Sequence, residues 1–246
     1  LNTRLDAATI AFQLDHAEAK ILIVDIALLP PVREALALAK ANPQLIIYDD
    51  AEFDGQRSGY DETEYETFIA SGDTDFAWKM PNDEWDAITI NYTSGTTGDP
   101  KGVVYHHRGA YLLAQGNALT ASMKKQAVYL WTLPMFHCNG WCFPWTISAI
   151  SGTHVCLREV RAEDIWSAIL EHRVSHMCGA PIVMSLVVAG KPASAKLDYE
   201  VEFFTAAAPP PEAVLAAMKD AGFNVTHLYG LTETYGPSVV NDWDPE

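Results

Sequence analysis

The segment from Tyr92 to Val103 has the highest density of residues in the chain that could bind an anion. It contains three glycines, which let a main chain approach a ligand closely, and Lys101, which adds a mobile positive charge. Five further residues bear hydroxyl groups: Tyr92, Thr93, Ser94, Thr96 and Thr97. The order differs from a Walker A loop, because Lys101 follows Pro100 and precedes Gly102. The segment predicts an anion-binding loop of another kind, and a Ser/Thr/Gly-rich surface linker is the alternative.

The run Tyr229-Gly230-Leu231-Thr232-Glu233 is a second candidate site. A carboxylate such as that of Glu233 is an oxygen ligand that suits a hard cation. Taken in isolation, the Thr232-Glu233 pair also fits a helix N-cap followed by an acid in the first turn. The residues alone leave both interpretations open.

Three further segments combine polar or aromatic residues with glycine, alanine and proline. They are 134–141, which includes His137 and Trp141, then Gly179-Ala180-Pro181, and finally Thr205 to Pro209. Composition alone favours a buried histidine, a core tryptophan and a loop entering a helix. His137, Cys138 and Cys142 lack a second ligand pair at zinc spacing.

Helical and strand-like periods of apolar residues alternate along the sequence, and they predict the elements that position these segments. Strands are predicted at 21–25, 44–48, 85–91, 102–105, 128–133, 154–157, 174–178, 202–206 and 225–229. Helices are predicted at 7–19, 31–41, 62–70, 107–122, 141–151, 162–172, 181–189 and 211–221. Strands separated by helices form parallel βαβ units, so we predict an α/β fold with mostly parallel sheets and helices on both faces. The loop after Tyr92, the run after Ala206 and the run from Tyr229 then lie at carboxyl ends of strands, where open α/β sheets bind ligands.

The composition restricts the possible partners. The chain has 246 residues, 49% of them hydrophobic, and a formal net charge of −16, which argues against nucleic acid as a partner. Between Asp49 and Asp86, thirteen acidic residues face only Arg57 and Lys79, which indicates a solvated acidic surface. No apolar run is long enough to span a membrane. Four unevenly spaced cysteines suggest reduced thiols and a cytoplasmic protein.

Two motifs together resemble the adenylate-forming, AMP-binding superfamily. The run from Tyr92 to Gly102 resembles its phosphate loop, and Tyr229 to Thr234 is similar to its Tyr-Gly-x-Thr-Glu motif. The resemblance implies that residues 1–246 are part of the large N-terminal AMP-binding domain, without the small C-terminal lid domain. It also implies that the substrates include ATP with Mg²⁺.

The resemblance assigns residues to the nucleotide. The catalytic residues would be Lys101, Thr232 and Glu233, with Glu233 holding Mg²⁺. The residues around ATP would be Thr93, Ser94, Gly95, Thr96, Thr97, Gly98, Lys101, Ala207, Ala208, Pro209, Tyr229, Gly230 and Thr232. Ala207 stands where related enzymes have glycine.

The run Phe136-His137-Cys138-Asn139-Gly140-Trp141 resembles the acyl-CoA synthetase branch, including medium-chain acyl-CoA synthetases and methylmercaptopropionyl-CoA ligases. It implies that His137, Trp141, Gly179, Ala180 and Pro181 contact the acid, with Trp141 as the gate of an acyl tunnel. The expected enzyme joins a small carboxylic acid to coenzyme A, and these residues would be a fragment of it, inactive alone. An adenylation domain that loads a carrier protein and a non-catalytic nucleotide-binding module remain alternatives. Neither the acid nor a homodimer of the full-length protein is decided by the sequence.

Overall fold

The computed structural model describes residues 1–93 and 100–241. They form two compact units, with a boundary between Met80 and Pro81. The family resemblance predicts that residues 1–246 are part of one AMP-binding domain, and this domain assignment stays a prediction.

The first unit is a small parallel sheet with helices. Its elements are α1 (Ala7–His16), β1 (Ile21–Asp25), a 3-10 turn (Ile26–Leu28), α2 (Leu29–Leu38), β2 (Gln44–Tyr48), β3 (Thr63–Glu64) and α3 (Tyr65–Ala70). The three strands pair in parallel in the order β1-β2-β3. Asp6 begins α1 by accepting a hydrogen bond from the Thr9 N–H at 2.7 Å, which satisfies one of the free donors of the first turn.

The second unit begins with an antiparallel hairpin and continues with alternating strands and helices. The hairpin strands are β4 (Ala87–Thr93) and β5 (Lys101–His106). They are followed by α4 (His107–Thr120), β6 (Val128–Trp131), α5 (Cys138–Trp141), α6 (Phe143–Ala149), β7 (Thr153–Cys156), α7 (Ala162–His172), β8 (His176–Cys178), α8 (Pro181–Ala189), β9 (Val201–Ala206), α9 (Glu212–Asp220), β10 (Phe223–Leu231), a 3-10 turn (Thr232–Thr234) and β11 (Gly236–Asn241).

Six of these strands form one sheet in the order β11-β10-β9-β8-β6-β7, and all of its pairings are parallel except that of β11. Alternate strand residues enter two separate cores. Leu130 and Phe203 pack with α7, α8 and α9 on one face, whereas Tyr129 and Phe204 pack with α6 on the other. Strands buried on both faces are typical of such sheets, and the predicted fold class is confirmed.

The predicted helices at 162–172 and 181–189 and the predicted strands at 21–25 and 44–48 have the observed bounds. The predicted helix at 141–151 starts at Phe143 instead, because the five residues Cys138 to Cys142 all have positive φ. The strand β11 was not predicted, because its Gly236-Pro237 start looks like a loop. Proline is tolerated there because β11 is an edge strand.

The turn from Cys138 to Cys142 is left-handed, with φ values of 48°, 45°, 55°, 54° and 63°. Left-handed helical backbone costs an L-residue about 1–2 kcal/mol, so four non-glycine residues here must be held by their surroundings. Gly140 is needed for a second reason, since a Cβ atom there would lie 2.7 Å from Trp131 Cζ3.

No helix among residues 1–93 and 100–241 has the length and apolar character needed to cross a membrane.

Ala207, the first residue after β9, has a φ of 77°, which glycine adopts freely and alanine does not. Ala208 has no positive φ. We predict that Ala207→Gly keeps or raises the thermal unfolding midpoint, because relief of about 1–2 kcal/mol of strain exceeds the added unfolded-state entropy.

Ala208→Gly is the matched control and should lower the midpoint, since it adds entropy to the unfolded chain without relieving strain, at a cost of about 0.4–1 kcal/mol. Equal losses in the two variants would show that Ala207 is unstrained.

Candidate functional site

Four of the segments that the sequence singled out lie at one edge of the six-stranded sheet, where its parallel strands end. Leu130 pairs with Met177, Cys178 with Phe204, and Ala206 with Leu228, so the carboxyl ends of β6, β8, β9 and β10 lie at the same edge of the sheet, with β9 and β10 extending further than β6 and β8. The segments at these strand ends are 132–141, 179–181 and 207–209, together with 229–233, which comprises the last three residues of β10 and the start of the turn after it. The parallel register therefore brings together four segments that lie up to about 100 residues apart in the chain, as four crossover units must.

The phosphate-loop segment connects the two strands of the hairpin. Thr93 is partly buried at the end of β4 and pairs with Lys101, which is exposed at the start of β5. Of the residues assigned to this loop, Ser94, Gly95, Thr96, Thr97 and Gly98 lie outside the described residues. Pairing of Thr93 with Lys101 brings the two ends of the loop side by side.

The Tyr-Gly-Leu-Thr-Glu motif lies at the end of β10 and in the turn that follows. Tyr229 is 58% exposed, and Glu233 is also exposed. Gly230 must be glycine, because a Cβ atom there would overlap the Gly236 carbonyl oxygen on β11. The Thr234 hydroxyl donates to the Leu231 carbonyl at 3.0 Å and accepts from the Leu231 N–H at 2.9 Å, which closes the turn on itself. Thr232 is not itself an N-cap, because it is the first residue of a 3-10 turn whose N-cap is Leu231, but Glu233 does lie in the first turn of that element.

Tyr105 joins this turn to the hairpin. Its side chain is fully buried, and its hydroxyl donates a hydrogen bond to the Thr232 carbonyl oxygen at 2.7 Å. The Tyr105 ring stacks on that of Tyr235, with centroids 3.9 Å apart and an interplanar angle of 20°. The neighbouring His106 N–H donates to the Tyr235 hydroxyl at 3.1 Å. Two consecutive residues of β5 thus hold both ends of the turn.

Two thiols connect the same turn to the segment 132–141. Cys138 Sγ lies 3.3 Å from Thr232 Oγ1, and the Cys142 thiol donates to the Tyr235 carbonyl oxygen at 3.7 Å. Burial raises the pKa of both thiols, that of Cys142 to about 12. Because a thiolate is the reactive form of cysteine, these thiols are hydrogen-bonding core groups and not nucleophiles at neutral pH.

Trp141 is 7% exposed and lies in the left-handed turn. Its carbonyl oxygen accepts a hydrogen bond of 2.7 Å from the side-chain amide of Asn117, which also donates to Thr146 Oγ1 at 3.3 Å. Asn117 is itself buried on α4. This pair of bonds helps to hold the costly left-handed backbone in place.

The remaining predicted contacts surround these residues. His137 is largely exposed, yet desolvation by its neighbours lowers its pKa. Gly179 is buried, its N–H donates to the Phe204 carbonyl at 3.0 Å, and Ala180 and Pro181 begin α8. Ala207, Ala208 and Pro209 are exposed after β9. All of these residues are at or next to the sheet edge, but their contacts with a ligand remain predictions.

The sequence reading gave no role to Tyr105, Tyr235 or Asn117. A signal for Asn117 exists, because it follows Ala110 and Ala114 on the buried stripe of α4, where a polar residue needs a partner. No local pattern marks Tyr105, since its partner is 127 residues away.

Among residues 1–93 and 100–241, no group of three or more His, Cys, Asp or Glu side chains could form a metal site. Glu233 is exposed and belongs to no such group within the described residues. This arrangement fits Mg²⁺, which is usually bound through one or two carboxylates together with substrate phosphates.

Comparisons with known proteins agree with the motifs. The family model of the AMP-binding enzymes matches residues 1–246. An acetate/butyrate–CoA ligase of Arabidopsis thaliana, named as peroxisomal, is 44% identical over 259 residues, covering 100% of this chain and 46% of the relative. A 2-methylpropanoate–CoA ligase of Humulus lupulus is 44% identical over 252 residues, covering 100% of this chain and 45% of the relative. The chain spans about half the length of the curated relatives it matches.

Solved structures share the fold. The inhibitor-bound N-terminal domain of FACL13 from Mycobacterium tuberculosis matches with a TM-score of 0.78 and 28% identity, over 98% of this chain and 57% of that one. The o-succinylbenzoate–CoA synthetase of Bacillus subtilis, in complex with ATP and magnesium, matches with a TM-score of 0.75 and 22% identity, over 98% of this chain and 46% of that one. Because the AMP-binding enzyme model matches residues 1–246, the whole chain, the protein belongs to the AMP-binding enzyme family.

Proposed function

We propose that this chain is the nucleotide- and acid-binding part of an ATP-dependent acyl-CoA synthetase. The observation that carries the proposal is the 3.3 Å contact between Cys138 Sγ and Thr232 Oγ1. It brings the segment that the resemblance assigns to the acid against Thr232, which the resemblance assigns to ATP, as a reaction between the two substrates requires.

In the first step, a carboxylate oxygen attacks the α-phosphorus of ATP, forming an acyl-adenylate and releasing pyrophosphate. Thr93 and Lys101, at the two ends of the phosphate loop, would hold the β- and γ-phosphates, and Thr232 would donate to an α-phosphate oxygen. The protein contributes alignment and charge compensation, which are the main catalytic effects in reactions of phosphoryl groups.

Glu233 would hold Mg²⁺ together with the phosphates of ATP. The bound cation would offset the repulsion between the triphosphate and a strongly acidic protein, whose formal net charge is −16.

In the second step, the thiol of coenzyme A attacks the acyl carbon and displaces AMP. No enzyme nucleophile is needed, which agrees with the raised pKa values of the Cys138 and Cys142 thiols beside Thr232 and Tyr235. The lid domain expected from the resemblance would exclude water from the acyl-adenylate.

The acid that we propose is a short- or medium-chain carboxylic acid. The relatives named for acetate, butyrate and 2-methylpropanoate support the short end of this range. Methylmercaptopropionate, the other acid suggested by the resemblance, stays a prediction. A cytoplasmic location is likewise a prediction, and three similar relatives are named as peroxisomal.

Two other functions are distinguished by one assay of the full-length protein. A panel of acids with ATP and coenzyme A should release AMP and form thioester. A carrier-loading domain would form acyl-adenylate without using coenzyme A, and a non-catalytic nucleotide-binding module would bind Mg·ATP without acid-dependent pyrophosphate exchange.

We predict that Lys101→Ala in the full-length protein weakens ATP use more than acid binding, because the variant removes a positive charge beside the phosphates. Loss of one such contact lowers transition-state stabilisation by about 2–4 kcal/mol. Pyrophosphate exchange at varied ATP and acid concentrations measures this. Lys219→Ala, at the exposed end of α9, is the control, and equal exchange in the two variants would reject the role of Lys101.

Glu233→Gln should raise the Mg²⁺ concentration needed for half-maximal activity, since a neutral amide oxygen is a poorer ligand for a hard cation. Titration of pyrophosphate exchange with Mg²⁺ tests this. The control is Glu171→Gln, another exposed acid near the end of α7. The same Mg²⁺ dependence in both variants would mean that Glu233 is only a turn residue.

Trp141→Ala should broaden the acyl-chain profile, because it opens space beside the proposed acid site. One methylene in an apolar pocket discriminates by only about 1–3 kcal/mol, so we expect broadening and not a complete switch. Trp166→Ala removes another buried tryptophan, from the core on the opposite face of the sheet, and is the matched control. A profile that changes in neither variant would show that Trp141 is a core residue.

A further inference from the structure

We propose that Tyr105 is a positioning residue for the adenylation step, because its hydroxyl keeps the Thr232–Glu233 turn in register with the strand that begins at Lys101. This role rests on the proposed function. Tyr105 belongs to neither motif that carries the family resemblance, and it is assigned from its contacts in the fold.

The Tyr105 hydroxyl and the Thr232 carbonyl form a short hydrogen bond. A carbonyl oxygen can only accept, so the Tyr105 hydroxyl must be the donor to Thr232 across 2.7 Å. Burial, reinforced by the nearby Cys138 and Cys142, raises the pKa of Tyr105. The hydroxyl therefore keeps its proton, and the bond persists throughout the neutral and mildly alkaline range.

The turn from Thr232 to Tyr235 is held at both of its ends. Thr232 is fixed by the Tyr105 hydroxyl, while Tyr235 is stacked on the Tyr105 ring and bonded to the His106 N–H. Glu233 lies between these two anchors. Its position relative to β5 is therefore set by a rigid aromatic contact and two hydrogen bonds, and not by the turn alone.

Tyr105 is also connected directly to the phosphate-loop segment through the strand β5. Lys101 and Tyr105 are on the same strand, and the pairs Thr93–Lys101 and Tyr92–Gly102 fix that strand against β4. The β- and γ-phosphates would be held at the start of this strand, and the α-phosphate and Mg²⁺ at the turn. Tyr105 then aligns the two parts of one triphosphate site. Only the step that releases pyrophosphate requires this alignment.

The test is Tyr105→Phe in the full-length protein, which removes one oxygen atom and keeps the ring. Tyr129→Phe is the matched control, since Tyr129 is also fully buried and its hydroxyl has no hydrogen-bond partner among the oxygen and nitrogen atoms of the described residues. Two half-reactions are measured: acid-dependent pyrophosphate exchange, and thioester formation from chemically synthesised acyl-adenylate and coenzyme A.

We expect Tyr105→Phe to lower kcat for pyrophosphate exchange by about 10- to 100-fold, because small misplacements of reacting groups have effects of this size. The KM for the acid and the thioester-forming step should match those of Tyr129→Phe. The melting temperature should be lower than that of Tyr129→Phe, because only Tyr105→Phe removes a buried hydrogen bond. Equal exchange in the two variants would overturn the proposal. Loss of both half-reactions together would also overturn it, since that is the result of a purely structural role.

If Tyr105→Phe does not fold, Tyr235→Phe decides the question. This variant keeps the stacked ring and removes only the acceptor of the His106 N–H. A lower exchange rate with unchanged thioester formation supports the proposal, and wild-type rates in both half-reactions overturn it.

Failure of the proposed function gives a different result. In that case the wild-type protein exchanges no pyrophosphate with any acid, and the affinity for Mg·ATP decides the role of Tyr105. At least tenfold weaker binding in Tyr105→Phe than in Tyr129→Phe would support the positioning role, and a smaller difference would overturn it.

Discussion

The hydrogen bond from the Tyr105 hydroxyl to the Thr232 carbonyl is the contact on which the candidate site depends. It joins the hairpin that carries the phosphate-loop segment to the turn that follows β10. The hairpin forms a sheet of its own, so strand pairing with the six-stranded sheet does not hold it in place. A buried tyrosine that stacks on Tyr235 provides this connection instead. Its loss would remove one of two donors to the Thr232 carbonyl oxygen among the described residues and leave only the Tyr235 N–H at 3.1 Å, a bond within the turn itself.

The left-handed turn from Cys138 to Cys142 shows how the same region holds an unfavourable backbone. The left-handed conformation is unfavourable for the four non-glycine residues of this turn, and tertiary contacts offset its cost. The Asn117 amide binds the Trp141 carbonyl, the Cys142 thiol bonds to the Tyr235 carbonyl, and Gly140 lies close to the Trp131 ring. The turn thus depends on α4, β6 and the end of the sheet together. Strained backbone that is held from several sides is common at binding sites.

Much of the fold was predictable because its elements follow local rules. Helices α7 and α8 have clear starts and apolar faces, and β1 and β2 are short apolar runs between turns, so their bounds were predicted correctly. The start of α6 and the strand β11 were not predicted. Both features depend on tertiary contacts. Asn117 holds the turn before α6, and β11 pairs with β10.

The sequence by itself determined the family, because the phosphate-loop run and the Tyr-Gly-Leu-Thr-Glu run specify their chemistry through residue order. It also determined the α/β class, because strand and helix periods alternate along the chain. Only the tertiary structure decided how the separate segments meet. Parallel strand pairing placed the carboxyl ends of β6, β8, β9 and β10 at one edge of the sheet, and the role of Tyr105 depends on a partner 127 residues away. Local sequence cannot encode such a contact, because the hydrogen bond exists only after both segments have packed into one core.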